Sequence, residues 1–132
     1  LHDLDYEMTG MSAELHTTET VKILREKGID EAVVHAVQAH AGKVPCASPM
    51  DWAIYSVDPL TGLVISATLM HPTKKLKSID LEFLKRRYKE KSFAKGARRE
   101  EIEECRNLGL ELDEFLSIAI AAMQGIDAEL GL

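Results

Sequence analysis

Apolar residues recur at helical spacing along most of the chain, and glycine or proline separates the stretches that carry them. The breaks fall at Gly10, Gly28, Gly42-Lys43-Val44-Pro45, Pro49, Pro59, Pro72, Gly96, Gly109 and Gly131. Val21, Ile23 and Leu24 predict a helix from Thr17 or Thr18 to Lys27-Gly28, a basic last turn followed by a glycine. Asp30 caps a second helix, in which Ala32, Val33, Ala36, Val37 and Ala39-His40 recur before Gly42, and the two predict a short antiparallel hairpin. Ser48-Pro49 supplies a cap and an N-terminal proline for Met50 to Val57, and Asp58-Pro59 repeats the device for Leu60 to Met70. These two segments are the most apolar and should be the buried centre, with Trp52, Tyr55 and the methionines as core. A cap at Ser78 opens an amphipathic helix with Ile79, Leu81, Phe83, Leu84 and Tyr88 among basic residues. Arg98 to Leu108 follows, stopped by Gly109. Asp113 then caps a closing helix through Leu130, with Phe115, Leu116, Ile118, Ala119, Ala122, Met123 and Ile126 inward. The pattern is all-α, without internal repeat or low-complexity tract.

Composition fits one globular domain over residues 1–132: 45% of residues are hydrophobic and 29% charged, too apolar for a disordered chain. Cys46 and Cys105 stand far apart without metal-ligand spacing, which argues against a disulfide scaffold or zinc ribbon and fits a reducing, cytoplasmic setting. The longest apolar stretch, Leu60 to Met70, falls short of the roughly 20 residues a membrane span needs, so no membrane partner is expected. The first residues, Leu-His-Asp-Leu-Asp-Tyr-Glu, lack the basic and apolar regions of a signal peptide. They do not begin with Met, so a natural N-terminus upstream of Leu1 is an open reading.

Charge changes this picture. The formal net charge is −6, yet residues 71–99 hold 11 basic and 3 acidic side chains while both flanking segments are acidic. A basic block inside an acidic protein attracts small anions such as phosphates, whereas the molecule as a whole repels a nucleic-acid duplex. A solvated lysine-rich helix face is the plain alternative. No Gly-rich phosphate loop, Cys-His couple or glycosidase-like carboxylate pair accompanies the block.

The chemistry-bearing residues begin with adjacent His2-Asp3 and the remote Asp58, donors suited to a divalent cation. Around them stand His2-Asp3-Leu4-Asp5-Tyr6-Glu7, His16 opening a helix, His40 ending one, and Tyr55-Ser56-Val57-Asp58-Pro59-Leu60-Thr61-Gly62. Together these resemble the HD-domain family of metal-dependent phosphohydrolases, and more narrowly its small stand-alone HD/HDIG members. Pro72-Thr73-Lys74-Lys75-Leu76, residues 89–96, Arg99-Glu100-Glu101-Ile102 and the ending from Leu110 extend the likeness along essentially the whole chain.

The resemblance implies an HD-like helical bundle in which His2 and Asp3 bind a metal from the end of one helix and Asp58 closes the coordination from another. The cation would be Mn, Fe, Co, Ni, Zn or Mg. In the family a further histidine ligand precedes the doublet; this chain has no residues there, so it would correspond to the C-terminal two-thirds of such a domain, its N-terminal helices missing. His16 and His40 match two intermediate histidines that complete a second metal site or face the phosphate, and Asp3 combines ligand with general base. Lys74, Lys91 and Arg99 match basic positions and are candidate phosphate contacts, with the Thr61 hydroxyl beside them. Asp5 stands where HDIG members carry glycine, and either orients His2 or caps a turn. His35 matches no ligand position. The activity implied is metal-assisted hydrolysis of a nucleotide or other small phosphate ester. The alternatives are a catalytically silent HD-type module that binds a nucleotide or partner, and a purely structural helical domain.

Overall fold

A computed structural model describes residues 1–132, and every regular element in it is helical. The chain divides into two compact units, residues 1–55 and 56–132, with the boundary inside one helix.

In the first unit, α1 (Thr18–Glu26) and α2 (Glu31–His40) follow a leading segment of successive turns. Gly28 takes a left-handed conformation at φ 68°, as the stop signal required. Asp30 caps α2 by accepting a hydrogen bond from the Ala32 N–H at 2.8 Å. The two helices pack through Val21, Leu24, Val34 and Val37, with Ile29 against them. Val34 is fully buried, while Ala32 is exposed, so the inward face of α2 is rotated from the one read in the sequence.

The helix α3 (Pro49–Met70) corrects the expectation of two segments, because it runs through Asp58-Pro59 as one element of 22 residues. Its start has the foreseen form: Ser48 Oγ accepts from the Asp51 N–H at 3.2 Å, and Asp51 Oδ2 accepts from the Ser48 and Ala47 N–H groups at 2.9 Å. Pro59 removes one N–H from the helix interior, normally a costly break. Here it is followed by Leu60, Leu63, Val64 and Ala67, all at 0% exposure in the core of the second unit, and that burial offsets the lost bond. By length and composition alone α3 is also apolar enough to cross a membrane, which no single run in the sequence suggested. Its Leu60 and Leu63 lie in the core of the second unit, and it carries the polar residues Asp51, Ser56, Asp58 and Thr68.

In the second unit α3 is joined by α4 (Leu81–Lys89), α5 (Arg99–Ile102), α6 (Leu112–Gln124) and α7 (Asp127–Leu130). Leu76, Leu84, Ile102, Leu116 and Ile120 complete the core. Two caps and two helix extents differ from expectation. Ser78 ends a short 3-10 turn, and Asp80 caps α4 by accepting from the Phe83 N–H at 2.7 Å. Residues 103–108 tighten into 3-10 form before Gly109. Asp113 lies inside α6, where its carboxylate takes Lys85 at 2.7 Å, and the closing helix breaks at Gly125 instead of running to Leu130. Gln124 spans that end by donating to the Leu76 and Ile79 carbonyls at 3.0 Å.

The core expectations need the same correction. Ile118 and Ile126 are exposed, as are Met8, Met11, Met50 and Met70; only Met123 is buried. Trp52 and Tyr55 are half-buried and meet edge to face.

Candidate metal centre

The first unit gathers its ionisable groups around the leading segment. Asp5, with 0% exposure, accepts from three groups of the start of α1. Its Oδ1 takes the Thr17 N–H at 3.0 Å and lies 3.1 Å from His16 Nδ1, and its Oδ2 takes the Thr20 N–H at 3.0 Å. Its own N–H donates to Thr20 Oγ1 at 3.1 Å. Burial alone would raise the Asp5 carboxyl. The N–H groups of Thr20 and Thr17, with His16, outweigh it and hold the group down at about 2. Thr17 adopts φ 71°, a left-handed conformation unusual for a β-branched residue, and is buried while directing its N–H at Asp5. Asp5 therefore holds His16, where the sequence left open His2 or a turn.

His16 and His40 are both nearly buried, at 8% and 7% exposure. Each has its Nδ1 against an acceptor that has no proton to give: the Asp5 carboxylate for His16, the Val37 carbonyl for His40. That fixes Nδ1 as the protonated nitrogen and leaves both Nε2 atoms as lone-pair donors. The two Nε2 atoms face each other at 3.2 Å, and Asp3 Oδ1 lies 3.2 Å from the first and 3.5 Å from the second.

Three lone-pair donors converging so closely need a positive charge among them, either a proton or a metal ion. Their spacing suits an ion: at metal–ligand distances of about 2.1 Å, neighbouring ligands stand about 3.0–3.4 Å apart. The anchoring of both Nδ1 atoms is the support that metal-bound histidines ordinarily have. Asp3, His16 and His40 thus fit a divalent cation. His2 adjoins them, its Nε2 3.2 Å from Asp3 Oδ2 and its ring edge-on to His40. His2 and Asp3 sit in turns, not at the end of a helix as the family pattern implied. Half of the Asp3 side chain is open to water.

The other expected residues lie in the second unit. Asp58 lines a cavity of about 340 Å³ with Gly62, Ser66, Ala94, Gly96 and Ala97. The Thr61 hydroxyl donates to the Asp58 carbonyl at 2.8 Å, inside its own helix. Lys74 is exposed at φ 51° after α3, and Lys91 is exposed after α4. Arg99 is committed elsewhere: its guanidinium donates to the carbonyls of Arg87, Tyr88, Glu90, Phe93, Ala94 and Ala97. Its donors hold a turn of backbone instead of standing open to a phosphate.

Sequence reasoning passed over His35, whose Nδ1 lies 3.1 Å from Asp51 Oδ2. The only signal was its place one α2 turn before Ala39-His40, and nothing in the spacing announced Asp51 as its partner. Comparison with protein-family models, with curated proteins and with solved structures returned no match to this chain.

Proposed function

We propose that this chain is a metal-dependent phosphohydrolase of HD type, acting on a nucleotide or other small phosphate ester. The observation that carries the reading is the convergence of Asp3 Oδ1 with the Nε2 atoms of His16 and His40, each histidine anchored through its Nδ1. Asp3, His16 and His40 hold the cation in this reading, with His2 beside them and Asp58 as the further ligand that the sequence resemblance implies. When bound, a divalent cation there acidifies a water and offsets charge on a phosphoryl oxygen.

The chain's own residues do the rest. Asp5 and the Val37 carbonyl hold the two imidazoles in the tautomer that presents Nε2. The open Asp3 carboxylate accepts the proton of the attacking water, and His2, 3.2 Å from its second oxygen, is the next carrier of that proton. The basic block of residues 71–99 favours a phosphorylated substrate.

The test is elemental analysis of the purified chain, followed by a phosphatase screen over nucleotides with Mn, Fe, Co, Ni, Zn and Mg. Stoichiometric metal and chelator-sensitive turnover are expected, with both lost in Asp3→Ala and His40→Ala and turnover lost in Asp58→Ala. Full turnover in all three variants would overturn the proposal, and ligand binding without turnover would point to the silent module.

A further inference from the structure

Part of the basic block of residues 71–99 is paired with its own neighbours, and three of the lysines left unpaired share one cavity. Lys77 pairs with Asp127, Lys85 with Asp113, Arg87 with Glu90 and Arg98 with Glu101. Arg99 is spent on backbone carbonyls. Lys89, Lys91 and Lys95 have no carboxylate within ion-pair distance, and all three line one cavity of about 470 Å³ with Tyr88, to which Arg98 and Arg99 add positive charge and Glu100 and Glu103 negative charge. That volume lies within the range of small-ligand sites.

The turn that carries these lysines is built to keep its shape. Residues 90–97 form no regular helix. Their order comes from Arg99, which collects carbonyls from Arg87 to Ala97 and lies over the Tyr88 ring at 5.6 Å. Ala94, immediately before Lys95, is held at φ 45°, a left-handed conformation that a non-glycine residue adopts at a cost of order 1 kcal/mol. The Phe93 side chain packs inward toward the core. A strained turn fixed through its carbonyls leaves Lys91 and Lys95 unengaged, lining the cavity that Lys89 also lines. Tyr88 closes the floor, its hydroxyl donating to Glu103 at 2.9 Å. The far side of the same turn, through Ala94, Gly96 and Ala97, lines the cavity that Asp58 borders.

We infer that the turn of residues 90–97, stapled by Arg99, is a phosphate cradle in which Lys89, Lys91 and Lys95 receive a ligand bearing two or more linked phosphates. The five cations of the lining outnumber its two carboxylates, an excess that suits a multiply charged anion, and a preformed turn binds it without the ordering cost of a mobile loop. Arg99 is a positioning residue here: it touches backbone, and the lysines touch the ligand. The inference deepens the proposed function by naming where the substrate's phosphates are held, and rests on that reading only for the use made of the bound ligand.

The experiment is titration of the full chain, stripped of metal with a chelator and then dialysed, with pyrophosphate, followed by amide chemical shifts and calorimetry. Saturable binding with shifts concentrated at residues 88–99 is expected, weakening at least tenfold in the Lys91→Ala/Lys95→Ala double variant. Lys27→Ala/Lys75→Ala removes the same charge outside the cavity and should change affinity less than threefold. Arg99→Gln should lose affinity while Arg99→Lys recovers part of it, both with an unchanged core spectrum. Absence of saturable binding by the metal-free chain, or equal losses in the two lysine pairs, would overturn the cradle. Because no metal is present, either result leaves the hydrolase proposal standing, and failure of hydrolysis leaves the cradle standing.

Discussion

Residues 1–55 bury Asp5, His16, Thr17, Thr20 and His40 around a helix pair whose apolar cluster is only Val21, Leu24, Val34 and Val37. Residues 56–132 bury fifteen residues in one apolar core, and the one charged residue buried there is Glu101, paired with Arg98. The difference is one of what each arrangement specifies. Apolar burial is non-directional and sets compactness, while hydrogen bonds to a buried carboxylate set the position of individual atoms. The unit that must bring two imidazole nitrogens within 3.2 Å of each other relies on the second kind. The unit with the larger core supports a turn whose own order comes from one arginine.

The strongest way to break the comparison is Asp5→Ala. It leaves the Thr17 and Thr20 N–H groups and His16 without their acceptor, and the expected cost is about 3–5 kcal/mol, the range for removing one partner of a buried ionic network. Hydrogen exchange should show the loss confined to residues 1–40, and metal uptake should fall with it. Leu63→Ala is the matching change in the other unit, with an expected cost of about 2–4 kcal/mol from lost burial and the cavity left behind. Chemical denaturation reads it, and the His16 and His40 imidazole signals should stay where they are. Loss of those signals at equal stability would show that the units do not separate as described.

A smaller effect sharpens the polar side of the comparison. Burial would raise the Asp51 carboxyl, but the Ala47 N–H, His35 and the Ser48 N–H together hold it below its ordinary value. As pH falls, the unfolded chain takes up that proton before the folded one does, so this stability is present above about pH 4 and is lost on further acidification. Thermal melts of the native chain and of Asp51→Asn between pH 6 and 3 should converge as pH falls. The smallest effect expected is from Thr20→Val, about 1 kcal/mol for the hydroxyl that accepts the Asp5 N–H, read by the same melts.

Much of this could be read in the sequence wherever a signal was local. Asp30, Gly28 and Gly109 each act within a few residues of themselves, and the helix ends they mark are where expected. Pro59 misled because its local rule was overridden by burial of Leu60 and Leu63, which depends on helices distant in sequence. Asp113 looked like a cap for the same reason: its partner Lys85 lies 28 residues away. In the site, His16, His40 and Asp3 could be named by resemblance, but the anchoring of their rings could not. Asp5 reaches 15 residues to Thr20, and the Val37 carbonyl carries no residue-specific signature. Arg99 was legible as a cation and illegible as a staple, since its six acceptors are all main-chain oxygens.

Those acceptors have one more consequence. A carbonyl is present whatever side chain its residue bears, so much of the shape of residues 90–97 is set by a residue outside them. The turn can therefore accept a rewritten alphabet at Lys91, Ser92 and Lys95 and return the same backbone, provided Arg99 and the inward Phe93 remain. It is a socket whose contents can be exchanged, and grafting acidic or aromatic residues there would change what the second unit greets without asking its core to refold.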